Sequence, residues 1–241
     1  MSTNSMVFFE SILYIGDRFP FLNLHLERIL ELAHVLHIEF TIKLDELDIR
    51  LREAIHDSSE RKFRLKFKIH EDNLHIDTIE SQLTHPYSFQ NYPSISLVIY
   101  PHYTKPQETL SRWKYENHHL YQDSIEFAHQ SGAFQSIILN EKRDIVETSL
   151  SNFFYFIDNK LYTPPLSSGA VNGVFRRYLM SKYNIIEKKL HWDDLKLIEE
   201  VFISSAIRGI VPVKKIDDFT YPTIQSDQMK IDLIQTLNFL K

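Results

Sequence analysis

The chain has 241 residues, a formal net charge of −5 at pH 7 and no cysteine. Hydrophobic residues make up 43% and aromatic residues 13%, enough to pack a core. The missing cysteines exclude disulfides, thiolate catalysis and cysteine-ligated metal sites, and the net charge argues against a nucleic-acid surface. The sequence starts without a signal-peptide pattern, and no apolar run approaches the roughly 20 residues of a membrane span. We therefore expect a soluble, cytoplasmic protein with neither nucleic-acid nor membrane partners.

The first half of the chain alternates between strand and helix patterns. Residues 7–14 are rich in β-branched and aromatic side chains and predict a strand. Apolar residues then recur at three- and four-residue spacing over 22–36 and over 44–55, which predicts two amphipathic helices. Further strands of this half are predicted at 63–69, 74–79 and 95–100. The two prolines between Pro101 and Glu108 interrupt the pattern, so we place an interdomain linker nearby.

The second half again mixes helices and strands. The strands are predicted at 136–139, 153–157 and 201–204, and the helices at about 117–128, 174–182 and 193–199. The alternation predicts an α+β or mixed α/β architecture. We divide the chain into a small N-terminal α/β domain at 1–104, a linker at 105–112 and a larger C-terminal domain at 113–241.

Several short segments carry groups that are suited to cofactor chemistry. In chain order they are Lys114, Glu147 within 145–154, the segments 161–165 and 169–176, and the strand end 204–213. Their order and spacing resemble the class IV aminotransferases, a family that depends on pyridoxal phosphate. The resemblance also takes in Phe9-Glu10-Ser11 and 24–29. It implies a two-lobed fold-type IV structure similar to D-amino-acid aminotransferase, with a barrel-like sheet in the larger lobe.

The resemblance assigns the reactive groups to specific residues. Lys114 matches the lysine that holds the cofactor as a Schiff base and then moves protons at the substrate Cα. Glu147 matches the carboxylate that keeps the pyridine nitrogen protonated, which makes the ring an electron sink.

The same resemblance implies a set of phosphate ligands. These are the helix start at Asn172, Gly173, Val174 and Phe175, the turn at Ser205 and Ala206, and the guanidinium of Arg28. No histidine shows the i, i+4 pairing with an accompanying acid, so we expect no metal site.

Three local features resemble the 4-amino-4-deoxychorismate lyases within this family. They are residues 171–173 before the phosphate turn, Ala206, and the hydroxyl of Ser11 where branched-chain enzymes have glycine. Ser11 is accordingly a third catalytic candidate, able to relay a proton or orient the substrate. The implied reaction cleaves aminodeoxychorismate to 4-aminobenzoate and pyruvate, a step that supplies a folate precursor.

Each assignment has an ordinary structural alternative. Without the resemblance, Lys114 would be interpreted as a solvated loop lysine, Glu147 as an exposed turn carboxylate and Arg28 as part of a solvated helix face. The alternative for Gly173 is a helix-entry glycine and for Ser204-Ser205 a strand-end cluster, and both assignments depend on that of Lys114.

Two other functions compete with the lyase. The first is a class IV aminotransferase acting on branched-chain or D-amino acids, which needs a keto-acid acceptor. The second is a shortened, non-catalytic family member that serves as a binding protein. In either enzyme reading the resemblance implies a homodimer with pyridoxal phosphate as its cofactor.

Overall fold

A computed structural model of the chain describes residues 7–15, 17–55, 61–70, 73–82, 93–102, 104–114 and 119–237. For residues 61–70 and 73–82 only the backbone is described. The chain divides into two compact units. The first contains residues 1–88, 113–117 and 241, and the second contains 89–112 and 118–240.

The first unit combines three strands with two helices. Their bounds are β1 (Val7–Tyr14), α1 (Leu22–Val35), α2 (Leu44–Glu53), β2 (Arg61–His70) and β3 (Asn73–Gln82). The strands form an antiparallel sheet in the order β1-β2-β3. All five elements confirm the strand and helix predictions for this part of the chain.

Burial in the first unit follows the two expected periods. Along β1, Phe8, Glu10 and Ile12 are buried while Ser11 is only half-buried, as the alternation of a strand requires. The buried stripe of α1 recurs every three or four residues, and it includes His25 and Arg28. The stripe therefore carries two ionisable side chains into the interior.

The second unit contains the larger sheet. Its elements are β4 (Ile95–Ile99), α3 (His119–Gln130), β5 (Gln135–Leu139), β6 (Ile145–Thr148), β7 (Asn152–Ile157), β8 (Lys160–Thr163), α4 (Val174–Lys182), β9 (Ile185–Glu187), β10 (Glu200–Ser205), β11 (Gly209–Ile216), β12 (Phe219–Thr220) and α5 (Ile224–Leu237). Short 3-10 turns lie at Thr109–Arg112, Leu166–Ser168 and Trp192–Leu197.

The larger sheet curls on itself. Its strand order is β6-β5-β4-β11-β10-β7-β8-β9, with β12 added beside β11. Four strands separate β6 from β7 in this order, yet the amide of Thr148 donates to the carbonyl of Ser151 in the tight connection between them. A sheet can bring such distant positions together only by curling, which confirms the expected barrel-like sheet and the α+β class.

The sequence placed residues 95–104 in the N-terminal domain and 105–112 in a linker, but hydrogen bonding places both segments in the second unit. β4 pairs in parallel with both β5 and β11, and so belongs to the larger sheet rather than to the N-terminal domain. The amide of Lys105 donates to the carbonyl of Leu139 at 2.8 Å, and the Lys105 side chain is buried. The segment predicted as a linker is thus packed into the second unit, because its backbone and amine find partners there.

The core of the second unit consists of aliphatic and aromatic side chains from the strands of the larger sheet and from the 3-10 turn at Trp192–Leu197. Phe153, Tyr155, Val201, Ile203 and Val211 are fully buried within it. In the described part of the chain, no helix is both long and apolar enough to cross a membrane.

Candidate functional site

Glu147 is a buried carboxylate on the short strand β6. Its exposed fraction is 3%, so it is not an exposed turn carboxylate. Residues 145–148 are all buried, since β6 lies along β5 and its end turns directly into β7. An ionisable group in such surroundings needs several partners.

Both oxygens of this carboxylate accept hydrogen bonds. Oε1 accepts from the amine of Lys105 and from the hydroxyl of Tyr121, each at 2.5 Å. Oε2 accepts from the backbone amide of Val171 at 3.0 Å and lies 3.5 Å from the side-chain nitrogen of Asn152. The negative charge is therefore held by one cation, one hydroxyl and two amides.

Lys105 is the cation of this cluster. Its side chain is 1% exposed, and its amine also donates to the carbonyl of Ser111 at 3.3 Å and lies 5.2 Å from the centre of the Tyr121 ring. Burial lowers the pKa of Lys105 below its usual range, although the neighbouring Glu147 acts to raise it. Sequence reasoning missed Lys105 entirely and placed it in the linker.

Asn152 connects the carboxylate to the start of α4. It is the first residue of β7, and its side-chain nitrogen donates to the carbonyl of Val171 at 2.8 Å. A Cβ built at Gly173 would lie 2.0 Å from the Asn152 Oδ1 atom, so the glycine allows a close approach here. Helix α4 begins at the next residue, Val174, and the amides of its first turn have no acceptor within the helix and point toward its N-terminus.

We expect Gly173→Ala to disturb this junction. The added methyl group must push the Asn152 side chain away from Val171, at a cost of about 1–3 kcal/mol in the free energy of unfolding. Thermal unfolding measures the loss, and Asn152→Ala combined with Gly173→Ala is the control because it removes the collision. The two single costs should add to more than the cost of the double variant. Simple additivity would contradict the proposed contact.

The second predicted phosphate turn lies beside Asn152. Ser204 of β10 pairs with Asn152 of β7, and Ser205 and Ala206 follow at the strand end. Among the described residues, the buried hydroxyl of Ser204 has no hydrogen-bond partner. The hydroxyl of Ser205 accepts from the amide of Arg208 at 3.2 Å. Glu147, Gly173 and Ser205 are thus brought to neighbouring positions.

Asn172 is tied to its own loop. Its amide donates to the carbonyl of Arg112 at 2.9 Å. In the side-chain orientation that hydrogen bonding favours, its oxygen accepts from Nη2 of Arg177 at 2.9 Å and from Nε at 3.1 Å. These contacts fix the loop that leads into α4.

The first unit contains a second buried ionic cluster, formed by Glu10, His25 and Arg28. The guanidinium of Arg28 donates from Nε and Nη2 to the two oxygens of Glu10 at 2.6 and 2.5 Å, and His25 Nδ1 lies 2.6 Å from the same carboxylate. Arg28 is 2% exposed and is not part of a solvated helix face. Burial acts to raise the pKa of Glu10, but Arg28 and His25 outweigh it and hold that pKa at about 2.

We expect this cluster to make stability sensitive to acid. Because the pKa of Glu10 falls from 4.5 to about 2 on folding, its contribution is present above pH 4.5 and lost as the pH falls through 2. At 1.36 kcal/mol per pKa unit the contribution is about 3 kcal/mol. Burial also lowers the pKa of His25 from 6.5, so its contribution begins to be lost as the pH falls below that value.

Denaturant titrations between pH 7 and pH 3 would measure this loss. Glu10→Gln should remove most of the loss below pH 4.5, whereas Asp45→Asn, at an exposed carboxylate, should leave the profile unchanged. An unchanged profile in Glu10→Gln would contradict the assignment.

Lys114 packs beside Phe9 of β1, the strand that also carries Ser11. The amide of Phe9 donates to the carbonyl of Lys114 at 3.0 Å, and the Lys114 amine lies 5.9 Å from the centre of the Phe9 ring. Phe9 and Ser11 share one face of β1 because side chains alternate along a strand. The lysine amine therefore lies over the face that carries the Ser11 hydroxyl.

Sequence reasoning missed three residues that the structure brings to Glu147. They are Lys105, Tyr121 and Asn152. Asn152 stands inside the motif over 145–154 and could have been suspected from its place five residues after Glu147. Lys105 and Tyr121 carry no such signal, since only the curl of the sheet and the packing of α3 bring them to the carboxylate.

Comparison with known proteins connects this arrangement to a family. The model of the amino-transferase class IV family matches residues 7–216. The enzymes of this family depend on pyridoxal phosphate.

The relatives that this chain matches have different activities. An aminodeoxychorismate lyase from Vibrio harveyi is 32% identical over 99 residues, which are 39% of this chain and 34% of that protein. A D-alanine aminotransferase from Bacillus licheniformis is 30% identical over 98 residues, again 39% of this chain and 34% of that protein. The matched stretch thus spans about a third of these curated relatives.

A solved structure extends the likeness to nearly the whole chain. The branched-chain amino acid aminotransferase from Escherichia coli superposes with a TM-score of 0.80 at 18% identity, covering 95% of this chain and 84% of that one. At this identity the likeness shows the fold alone. It confirms the fold-type IV architecture that the sequence motifs predicted.

Proposed function

The chain belongs to the class IV aminotransferase family, and from this premise we propose that it is a lyase converting 4-amino-4-deoxychorismate to 4-aminobenzoate and pyruvate. The observation that carries the proposal is the position of Ser11 on the β1 face over which the Lys114 amine lies. A hydroxyl on the strand face that the proton-carrying amine overlies suits a reaction that protonates a leaving group. The lyase from Vibrio harveyi, at 32% identity over 99 residues, supports the choice of substrate.

The residues of the second unit suit pyridoxal phosphate chemically. The start of α4, the unpartnered Ser204 hydroxyl and the Ser205 turn offer donors to a phosphate dianion. Glu147 offers a buried carboxylate for the pyridine nitrogen. When bound, the cofactor supplies an electron sink for negative charge on the substrate carbon.

Each residue then has a defined task. Glu147 keeps a proton on the ring nitrogen, and Val171 and Asn152 hold the carboxylate in place. Lys114 binds the cofactor covalently, takes the proton from the carbon that bears the substrate amine and returns a proton to the leaving group. Ser11 orients that leaving group. Arg28, whose guanidinium Glu10 orients, is the phosphate's cation that the family resemblance implies.

Two assays test this proposal together. The first records the absorption spectrum with pyridoxal phosphate, before and after borohydride reduction, and maps the labelled lysine by peptide analysis. We expect the label on Lys114. The second follows 4-aminobenzoate release from aminodeoxychorismate in the absence of any amino acceptor, which a lyase supports and a transaminase does not.

A transaminase remains the second candidate, acting on a D- or branched-chain amino acid. The observation that favours it is the 30% identity over 98 residues to a D-alanine aminotransferase. It would release product only when a keto acid is supplied. If pyridoxal phosphate produced neither a reducible band nor a label, the chain would instead be a non-catalytic binding protein.

We further propose that the enzyme is a cytoplasmic homodimer, as the family resemblance implies. Size-exclusion chromatography with light scattering should give twice the chain mass of 28.6 kDa. A monomer mass at micromolar concentration would contradict this proposal.

A further inference from the structure

The Lys105 amine occupies a position on Glu147 that the proposed function gives to the cofactor. We propose that Lys105 is an internal counter-cation of Glu147 in the cofactor-free protein, which the pyridine nitrogen of pyridoxal phosphate must displace. The inference rests on the proposed function, and it concerns a residue that neither the sequence motifs nor the family assignment brought into the site.

Oxygen Oε1 is where the exchange has to occur. Oε2 accepts from the backbone amide of Val171. That amide cannot move away unless the whole loop that leads into α4 moves with it. Oε1 accepts only from side chains among the described residues, namely Lys105 and Tyr121. A protonated ring nitrogen needs one acceptor position, and a side chain can yield it more easily than the backbone.

Charge distinguishes the two donors on Oε1. A protonated ring nitrogen would add a second cation beside one buried carboxylate if Lys105 stayed charged and in place, and like charges at such a distance repel strongly in a dry site. Tyr121 is neutral and causes no such conflict. Lys105 must therefore leave the carboxylate or lose its proton, and its burial already favours the neutral amine.

The surroundings give the displaced amine a second acceptor. The Lys105 nitrogen already lies 3.3 Å from the carbonyl of Ser111, which it can keep after losing Glu147. The aromatic face of Tyr121 borders the same position at 5.2 Å. The amine can thus shift by a rotation of its own side chain without being left buried and unpaired.

Lys105 cannot at the same time be the covalent attachment point in its present position. The reactive carbon and the nitrogen of the cofactor lie at opposite ends of the pyridine ring. An amine at hydrogen-bond distance from Glu147 is next to the nitrogen end when Glu147 serves that nitrogen. The attachment therefore falls to a different lysine, which the proposed function identifies as Lys114.

The test compares Lys105→Met with the unaltered full-length chain. Pyridoxal phosphate is titrated by absorbance, and thermal unfolding is recorded with and without it. We expect the cofactor-free variant to unfold at a lower temperature, because the buried carboxylate has lost its cation. Its dissociation constant for pyridoxal phosphate should nevertheless fall by about tenfold or more, since no cation has to be displaced. Lys142→Met, at an exposed lysine, is the matched control and should change neither quantity.

Lys105→Gln serves as the second variant, because it keeps a donor to Glu147 without the charge and so protects the fold. Unchanged or weaker cofactor binding in the substituted proteins would overturn the inference, as would a borohydride label on Lys105 of the unaltered chain. If the unaltered chain bound no pyridoxal phosphate, the proposed function would fail as well. If it bound the cofactor on Lys114 and the Lys105 variants showed no gain, the displacement alone would be refuted.

Discussion

Lys114→Arg should lose at least about 10⁴-fold in kcat, because arginine can neither form the covalent link nor accept a proton near neutral pH. The cationic charge and most of the side-chain volume are kept, so the packing against the Phe9 ring should survive. The measurement is 4-aminobenzoate release together with the borohydride-labelled peptide map. We expect both the product and the label to disappear.

A matched control is Lys160→Arg, at an exposed lysine on the hairpin between β7 and β8. It should keep both the activity and the label on Lys114. If Lys114→Arg retained activity with the label on another lysine, the assignment of the attachment residue would be wrong even if the proposed reaction were right.

The second large effect is expected for Glu147→Gln. An amide cannot hold a proton on the ring nitrogen by charge, so kcat should fall by about 10²–10³-fold while KM changes little. The substitution also leaves the buried Lys105 amine without its carboxylate, which costs about 3–5 kcal/mol in the free energy of unfolding. Activity and stability must accordingly be measured side by side.

The double variant Lys105→Met with Glu147→Gln separates the two causes. Removing both charges should restore much of the stability lost in Glu147→Gln, whereas kcat should stay low. A recovery of kcat together with stability would show that Glu147→Gln had acted through the fold alone.

Local structure was largely predictable where the apolar pattern is regular. The spacing of Leu22, Ile29 and Leu32 predicted α1, and the alternation after Phe63 predicted β2. The segment 193–199 was predicted as a helix and is a 3-10 turn at Trp192–Leu197, since the two conformations share nearly the same spacing. α5 was not predicted, and its apolar Ile224 and Ile231 are exposed, so they do not form a clear buried stripe.

The candidate site was predictable only in part. The motif around Glu147 and the glycine before α4 identified the carboxylate and the helix start from the family resemblance alone. Their roles, like those of Lys114, Ser11, Arg28 and the Ser205 turn, stay predictions. The partners of these residues were harder to predict from the sequence. Nothing in the motifs indicates that Arg28 is buried against Glu10.

By itself the sequence determined most of the helices and strands and the family, and it proposed which residues react, because periodicity and motif order are local properties of the chain. Only the tertiary structure decided that residues 95–112 belong to the second unit and that Lys105 contacts Glu147, 42 positions away. The physical reason is that a buried charge in a curled sheet is paired with residues that are distant in the sequence and become neighbours only on folding. The spacing of residues along the chain does not indicate such long-range contacts.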